Sequence, residues 1–174
     1  LLNEAVAKTR EVIEENSKAR GQDMTKEQID EIAEKVGIGA VIYTDLSSNR
    51  IKDIDFHWDR ALNFDGESGP YVQYTHARCC SVLRKAPDFS GVTPDWNALT
   101  DDEAQALLRQ ISRFPDVIRD AADKYEPSMV TRAVTDIAQA FNKYYYEHRI
   151  LDGEPAQAAA RVTLTDAARQ VNTT

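Results

Sequence analysis

The sequence predicts an all-α fold, and three observations support this prediction. Apolar residues recur at spacings of three and four along most of the 174 residues, which is the period of a helix with one buried face. Two segments carry a capping box, in which Thr25 is paired with Gln28 and Thr100 with Glu103. Three prolines stand at expected helix starts, where proline is favoured: Pro70, Pro127 and Pro155.

Two long helices are predicted at the start of the chain. The first carries its apolar residues roughly on one face and is expected to end near Gly21. The second begins at the Thr25 N-cap and contains Gly37 and Gly39. A glycine inside a helix costs about 1 kcal/mol relative to alanine. We therefore expect this helix to pack closely against a neighbour.

A less regular region follows the second helix. Residues 51–56 alternate between apolar and polar types, which predicts a brief extended piece, and a short turn of helix is expected over 58–64. Residues 65–70 are rich in glycine and polar types and are predicted to form a loop. The next helix is expected to begin at Pro70 and to run to about Ala86.

Three helices are predicted in the remainder of the chain, after a linker over residues 87–97. The first opens at the Thr100 capping box and is expected to be interrupted or kinked at Pro115. The second begins at Pro127 and ends near the Asp152-Gly153 pair. The last extends from Pro155 through Val171.

Composition restricts the classes of function that the chain can have. No segment approaches the roughly 18 to 20 apolar residues of a membrane span, so no membrane partner is expected. The two cysteines, Cys79 and Cys80, are adjacent, which rarely permits a structural disulfide, and no CxxC or His/Cys pattern offers a metal site. We expect a reducing, cytoplasmic location. No set of nucleophile, base and orienting group is present, so no catalytic residue is assigned.

The charge of the chain contains one local exception. A net charge of -8 argues against a nucleic-acid partner, because phosphate binding depends on clustered lysine and arginine. The stretch Gly69–Ala86, however, holds 18 residues without Asp or Glu, where the chain-wide frequency predicts about three. It carries His76, Arg78, Arg84 and Lys85. An acidic protein with one acid-free basic helix can still hold RNA on one face.

Aromatic and basic residues are interleaved on two predicted helices. Tyr71, Tyr74 and Arg78 share one helical face, here called the first stripe. Phe141 and Tyr145 form a second stripe on a later helix. Its polar and basic neighbours are Asn142, His148 and Arg149. Unstacked RNA bases lie on aromatic or guanidinium planes, which favours RNA. Aromatic residues at helical spacing more often pack in a core, however, so both interpretations remain open.

The segment GPYVQYTHAR at 69–78 closely resembles the part of arginyl-tRNA synthetases that joins their catalytic and anticodon-binding portions. Other segments that resemble blocks of this family keep its order and spacing along essentially the whole chain: 1–5, 36–46, 56–59, 114–115, 126–127, 141–145 and 167–171. The resemblance implies a helical bundle of the class Ia synthetase anticodon-binding type. It implies one domain over 1–174, with N-terminal helices at 1–50 that would adjoin the catalytic body and a core bundle at 69–174.

The resemblance also implies partners and site residues. The family places tyrosine and arginine side chains around the anticodon loop at the positions of the first stripe. It places aromatic side chains there at the positions of the second stripe. With neighbouring Asn142 and Arg149, the expected tRNA-binding set is Tyr71, Tyr74, Arg78, Phe141, Asn142, Tyr145 and Arg149. The implied partners are the anticodon stem-loop of tRNA(Arg) and the catalytic domain of the same chain. The full-length enzyme would use ATP and Mg to join arginine to its tRNA. The HIGH-like and KMSKS-like motifs are absent here, so the catalytic domain is expected to be missing, with no cofactor and no activity in this chain alone.

A second interpretation is an acidic helical protein-interaction or scaffold domain without RNA binding, which the low pI of about 4.9 also fits. Burial of both stripes would favour the scaffold. A basic, aromatic groove between the helices of Tyr71 and Tyr145 would favour RNA.

Overall fold

The computed structural model describes residues 1–21 and 23–173, and within them the secondary structure consists of seven α-helices, one 3-10 turn and no β-strand. This confirms the all-α prediction. The chain divides into an N-terminal unit, Leu1–Tyr71, and a C-terminal unit, Val72–Thr174. The division falls close to residue 69, where the core bundle was expected to begin, although one domain was expected for the whole chain. None of the described helices is long and apolar enough to cross a membrane.

In the N-terminal unit, helix α1 (Leu2–Arg20) packs against helix α2 (Lys26–Ser47). Helix α1 ends at Gly21, whose φ of 59° lies in the left-handed region that glycine adopts without steric cost. Helix α2 begins with the predicted capping box. The Thr25 hydroxyl accepts from the Gln28 backbone N–H, and the Gln28 side chain accepts from the Thr25 N–H. Both helix boundaries follow from these local signals.

The contact between α1 and α2 is close at Gly37. A Cβ added to Gly37 would lie 2.9 Å from the backbone carbonyl carbon and oxygen of Ala5, closer than side chains tolerate. A Cβ on Gly69 would likewise lie 2.9 Å from the carbonyl oxygen of Gly39. The helical glycines therefore permit close backbone packing, as the sequence predicted.

The region between α2 and the next long helix is mostly irregular. Residues 51–56 form no β-strand, and the brief extended piece expected there is not part of a sheet. Ile51 is 83% exposed, and the described residues offer no strand against which an alternating segment can pair. Helix α3 is a single turn, Trp58–Ala61, and helix α4 extends over Gly69–Lys85 as expected from Pro70.

The C-terminal unit contains most of α4, a 3-10 turn at Trp96–Leu99, and helices α5 (Asp102–Lys124), α6 (Ser128–Glu147) and α7 (Pro155–Val171). Helix α5 packs against α6, and α7 packs against both of them and the 3-10 turn. All four helices contribute side chains to the hydrophobic core of this unit, among them Cys79, Val82, Leu107, Phe114, Ile137, Phe141, Tyr144 and Leu164.

Three predictions for the C-terminal unit are corrected. The N-cap of α5 is Asp101, not Thr100: its carboxylate accepts from the Ala104 N–H at 2.8 Å, while the Thr100 hydroxyl donates to the Asn97 carbonyl. Helix α5 continues through Pro115, so the predicted interruption is absent, because burial of the apolar face of this helix outweighs one missing hydrogen bond. Helix α6 ends at Glu147, five residues early, since the following backbone becomes extended and inserts Ile150 into the core.

Candidate nucleic-acid interface

The centre of the candidate interface is Arg78, whose guanidinium lies between two tyrosine rings. Its central carbon is 4.7 Å from the ring centroid of Tyr74 and 4.9 Å from that of Tyr145. Tyr74 stands one turn earlier on α4, and Tyr145 comes from α6. The two tyrosine residues are 50% and 39% exposed. We call this arrangement the Tyr–Arg–Tyr stack; it combines cation–π attraction with aromatic surface that remains open to solvent.

Asn142 fixes the orientation of Arg78. Its side-chain Oδ1 accepts a hydrogen bond from Nη1 of Arg78, and its Nδ2 donates to the Thr75 hydroxyl at 2.8 Å. Thr75 is fully buried and Arg78 is half-buried, so one amide links the core side of α4 to the side that carries the guanidinium. A hydrogen bond to a charged group is stronger than one between neutral groups. The structure thus brings Tyr74, Arg78 and Tyr145 together, with Asn142 behind the guanidinium.

Phe141 requires a correction, because it was expected to face RNA and instead lies in the core with no exposed surface. Its ring centroid is 6.1 Å from that of Tyr145, so it supports that ring from the protein interior. Tyr144 is also fully buried. Its burial, and to a smaller extent the negative charge of the nearby Asp101, raise the pKa of its phenol to about 12. Tyr146 is 85% exposed. The adjacent tyrosines therefore face different ways, as helical geometry requires.

Tyr71 is half-buried and belongs to the N-terminal unit, where its backbone N–H donates to the Ser68 hydroxyl at 3.2 Å. It stands on α4, the helix that also carries Tyr74 and Arg78. The opposite, apolar face of α4 is buried at Cys79 and Val82. The assignment of Tyr71 to an RNA-binding surface stays a prediction.

A cavity of about 300 Å³ lies beside Tyr145 in the C-terminal unit. Arg149, which the sequence assigned to the site, stands on its rim and is 3.4 Å from the Asp152 carboxylate. Lys85 was not assigned to the site, although its spacing of seven from Arg78 was an available signal that both share one helical face. The complete lining is Ser81, Val82, Lys85, Tyr145, His148, Arg149, Ile150, Leu151 and Asp152.

His148 joins the end of α6 to the start of α5. Its Nε2 is 3.1 Å from an Asp101 oxygen and 3.5 Å from a Glu103 oxygen, and Lys143 lies 3.2 Å from the second Glu103 oxygen. The hydrogen bond from Lys143 is the main cause that lowers the pKa of the Glu103 carboxyl. Among the described residues this is the one group spaced closely enough to ligate a metal. Asp101 and Glu103 already accept from the α5 backbone and from Lys143, respectively, which accounts for the cluster as an ion-pair network.

The adjacent cysteines are free thiols, as predicted. Cys79 faces the core, where burial raises the pKa of its thiol to about 12. Cys80 is only partly buried, and its sulfur lies 3.3 Å from Nε2 of His76, one turn earlier on α4. The two side chains therefore occupy different environments despite their adjacency.

Comparison with known proteins identifies the family of this fold. The DALR anticodon binding domain family matches residues 72–173, which is most of the C-terminal unit. The chain belongs to this family. The catalytic domain family of class I (R) tRNA synthetases matches residues 1–58. Helices α1 and α2 therefore correspond to part of that catalytic domain.

Arginine–tRNA ligases are similar to the chain over nearly its whole length. The chain is 47% identical to the ligase of Alkaliphilus metalliredigens, over 98% of the residues of this chain. It is 44% identical to the ligase of Haloarcula marismortui, over 97% of the residues of this chain. It spans 29% of the length of each of these proteins.

Two solved structures are also similar. The arginyl-tRNA synthetase of Thermus thermophilus has a TM-score of 0.86 and 29% identity, over 98% of this chain and 29% of that one. The arginyl-tRNA synthetase of Plasmodium falciparum has a TM-score of 0.85 over 99% of this chain and 30% of that one; at 21% identity it supports the fold alone. The scaffold interpretation, which burial of both stripes would have favoured, has no support, because Tyr74 and Tyr145 are exposed and the matching family is an anticodon-binding one.

Proposed function

We propose that this chain binds the anticodon stem-loop of arginine tRNA and that the Tyr–Arg–Tyr stack is the centre of the binding surface. The observation that carries the proposal is a guanidinium held between two solvent-exposed tyrosine rings in a member of an anticodon-binding family. A single-stranded loop offers unstacked bases and phosphates, which are the groups that such a surface recognises.

Each residue of the stack has a distinct proposed part. Tyr74 and Tyr145 stack on unpaired bases, and each stacked base contributes roughly 1 to 3 kcal/mol. Arg78 contacts a phosphate or a base edge, while Asn142 holds the guanidinium in place. Phe141 acts indirectly, by supporting the Tyr145 ring. Tyr71 and Arg149 remain proposed tRNA contacts, as the family resemblance and the aromatic–basic pattern suggested.

The net charge of -8 affects how this binding depends on salt. The acidic remainder of the molecule repels phosphate at long range, whereas the cations on α4 and near the end of α6 attract it. We therefore expect modest affinity for the chain alone and a steep loss of affinity between low and moderate salt.

In the full-length protein, we propose that this binding serves the ligation of arginine to its tRNA with ATP and Mg in the cytoplasm. By holding the anticodon, the chain would orient the acceptor end of the tRNA toward a distant active site, so that binding energy here improves placement there. The rest of the catalytic domain is the proposed partner of the N-terminal unit. Several large apolar side chains of that unit are exposed and suit such a contact: Leu1, Leu2, Ile42 and Leu46.

The proposal is tested by measuring binding of the chain to arginine tRNA and to the same tRNA with an exchanged anticodon, at 50 and 150 mM salt. We expect tighter binding to the cognate anticodon and its loss in Arg78→Ala. Arg132→Ala is the matched control, because this exposed cation stands about 20 Å before Tyr145 along α6. Equal binding of both tRNAs, or an unchanged Arg78→Ala variant, would contradict the proposal.

A further inference from the structure

A histidine and two carboxylates meet where the end of α6 approaches the start of α5. One ligand atom from each of Asp101, Glu103 and His148 lies within 4.8 Å of the other two. We propose that these three side chains bind one divalent metal ion of the zinc type and that a water molecule takes the fourth position. The proposal goes beyond tRNA binding, because none of the three residues belongs to the Tyr–Arg–Tyr stack.

The spacing of the ligand atoms fits such an ion. Zinc binds imidazole nitrogen and carboxylate oxygen at about 2.0 to 2.2 Å, so neighbouring ligands of a tetrahedral site are about 3.3 to 3.6 Å apart. Nε2 of His148 is 3.1 Å from Oδ1 of Asp101 and 3.5 Å from Oε2 of Glu103. Small side-chain adjustments therefore bring all three atoms to bonding distance from one ion.

The ion pairs among these side chains leave part of their ligand capacity unused. Lys143 contacts Oε1 of Glu103, so that Oε2 of the same carboxylate stays available on the side of His148. Nε2 of His148 carries at most one proton, so it can donate to only one of the two carboxylates that approach it. A divalent cation between them attracts both carboxylates at once and is compatible with the Lys143 contact.

The phenol of Tyr144 supplies an independent observation. Its side chain is fully buried, and its hydroxyl has no hydrogen-bond partner among the residues that the structure describes. The ring packs on the imidazole of His148 at a centroid distance of 4.9 Å, and the charge of Asp101 acts on the phenol, so Tyr144 borders the cluster. A buried hydroxyl without a partner is unfavourable, and a water bound to an ion at Asp101 and His148 is a suitable partner for it.

The surroundings of the cluster favour a cation. The side chains of Asp101, Glu103 and His148 are 28%, 20% and 24% exposed, so water screens their charges less than at the open surface. Two carboxylates stand against one neighbouring ammonium, that of the largely exposed Lys143. Both carboxylates lie at the N-terminus of α5, where the helix dipole stabilises the ionised form that binds metals.

The ligand types favour Zn²⁺ over Mg²⁺ and Ca²⁺. Magnesium and calcium prefer oxygen ligands, whereas imidazole nitrogen suits zinc. Glu103 and His148 are 45 residues apart, so no short motif of the kind that marks zinc sites in sequences contains both. The site therefore depends on the packing of α5 against α6.

The other two histidines of the chain provide matched controls. Nε2 of His57 lies 3.0 Å from an Asp55 oxygen, and Nε2 of His76 lies 3.3 Å from the Cys80 sulfur. Among the described residues, neither pair belongs to a group of three potential ligands. A metal ion that needs three protein ligands should therefore discriminate against both pairs.

The test measures Zn²⁺ binding to the chain by isothermal titration calorimetry near neutral pH, and the Tm with and without the ion. We expect one Zn²⁺ per chain, a raised Tm, and no competition by Mg²⁺ at the same concentration. His148→Gln should weaken binding at least about tenfold, because loss of even an outer-shell partner has an effect of that size. His57→Gln and His76→Gln should leave the affinity for Zn²⁺ unchanged.

Two further variants keep the test independent of folding. Glu103→Gln removes one ligand charge, and Asp101→Asn removes the other while it keeps an oxygen for the N-cap of α5. Both should weaken Zn²⁺ binding in a chain whose circular dichroism shows it to be folded.

Several outcomes would overturn the proposal. Absence of saturable Zn²⁺ binding by the unaltered chain is one of them, and binding that His148→Gln does not weaken is another. An equal loss of affinity in all three histidine variants would show that binding is not specific to this cluster. Loss in His76→Gln and Cys80→Ser instead would place the ion at the thiol. Failure of the chain to bind tRNA would contradict the proposed function and leave this proposal standing.

Discussion

The bridge formed by Asn142 makes a quantitative prediction about both stability and binding. Replacing it with alanine removes the hydrogen bond from Arg78 and the hydrogen bond to Thr75. The first involves a charged group and contributes about 1.5 to 3 kcal/mol, and the second about 0.5 to 1.5 kcal/mol. Arg78 is only half-buried, so water partly replaces its missing partner. We therefore expect a loss near the lower limit, about 2 kcal/mol.

Asn142→Asp separates the two roles of this side chain. The carboxylate still accepts from Arg78 and adds charge attraction, but it has no N–H for Thr75, so stability should change by less than about 1 kcal/mol. The added negative charge lies where we propose that RNA binds, and repulsion should weaken RNA binding at least about tenfold. A variant that folds normally and binds poorly would distinguish positioning of the guanidinium from general destabilisation.

The measurements are urea and thermal unfolding, both followed by circular dichroism, and binding of arginine tRNA by anisotropy. A loss of about 2 kcal/mol in a unit of about 100 residues lowers Tm by roughly 10 °C, which is readily detected. Asn97→Ala is the control, since this exposed side chain donates to Asp95 beside the 3-10 turn, away from α4 and α6 in the sequence. Unchanged stability and unchanged tRNA affinity in Asn142→Ala would refute the reasoning.

Three further predictions concern packing and titration. Gly37→Ala gains about 1 kcal/mol of helix propensity but forces α1 away from α2, and a net destabilisation of about 1 to 2 kcal/mol is expected in urea unfolding. The folded-state pKa of Glu103 lies below its ordinary value of 4.5, so the contact of this carboxylate with Lys143 stabilises the fold above pH 4.5. This stabilisation is lost as the pH falls through the lowered pKa. The Glu103→Gln variant lacks the titrating carboxyl, so its stability should depend less steeply on pH in acid titrations. With a thiol pKa of about 12, only about one Cys79 in ten thousand is ionised at pH 8, so iodoacetamide should label Cys80 first, as read by mass spectrometry.

Each of these predictions has a defined contrary result. Gly21→Asn is the control for glycine replacement, because asparagine tolerates the left-handed backbone there, and equal stability of Gly21→Asn and Gly37→Ala would contradict the close-packing argument. Identical acid profiles with and without the Glu103 carboxyl would show that its contact with Lys143 contributes nothing. Simultaneous labelling of both cysteines in the folded chain would show that Cys79 is not protected by burial.

Local signals made most of the fold predictable. The Thr25 capping box, the Gly21 stop and the Pro155 start each place a helix boundary where the structure has it, because each satisfies backbone groups within a few residues. Predictions failed where distant packing decides the outcome. Helix α5 continues through Pro115 because its apolar face is buried in the core, and α6 ends at Glu147 because the following backbone places Ile150 in the core.

The candidate site was predictable in part for a similar reason. Helical spacing placed Tyr74 and Arg78 on one face, and this grouping is observed. The same spacing could not distinguish Phe141 from Tyr145, because side chains four residues apart on a helix point in nearly the same direction. The boundary of the core falls between these two positions, so that Phe141 is buried and Tyr145 is exposed. The contact of Tyr145 with Arg78 joins two helices, and no pattern within either helix encodes it.

The long sequence separation within the Asn142 bridge bears on the order of folding. Its two hydrogen bonds join residues 64 and 67 positions apart, whereas α5 and α6 are consecutive helices and pack as a local hairpin. Closing a long loop costs entropy that must be offset before distant contacts form, so the local hairpin should form early and the bridge late. A nascent or partly folded chain would then contain most of its helices while lacking the assembled stack, and the ability to grip RNA would appear only when folding is complete.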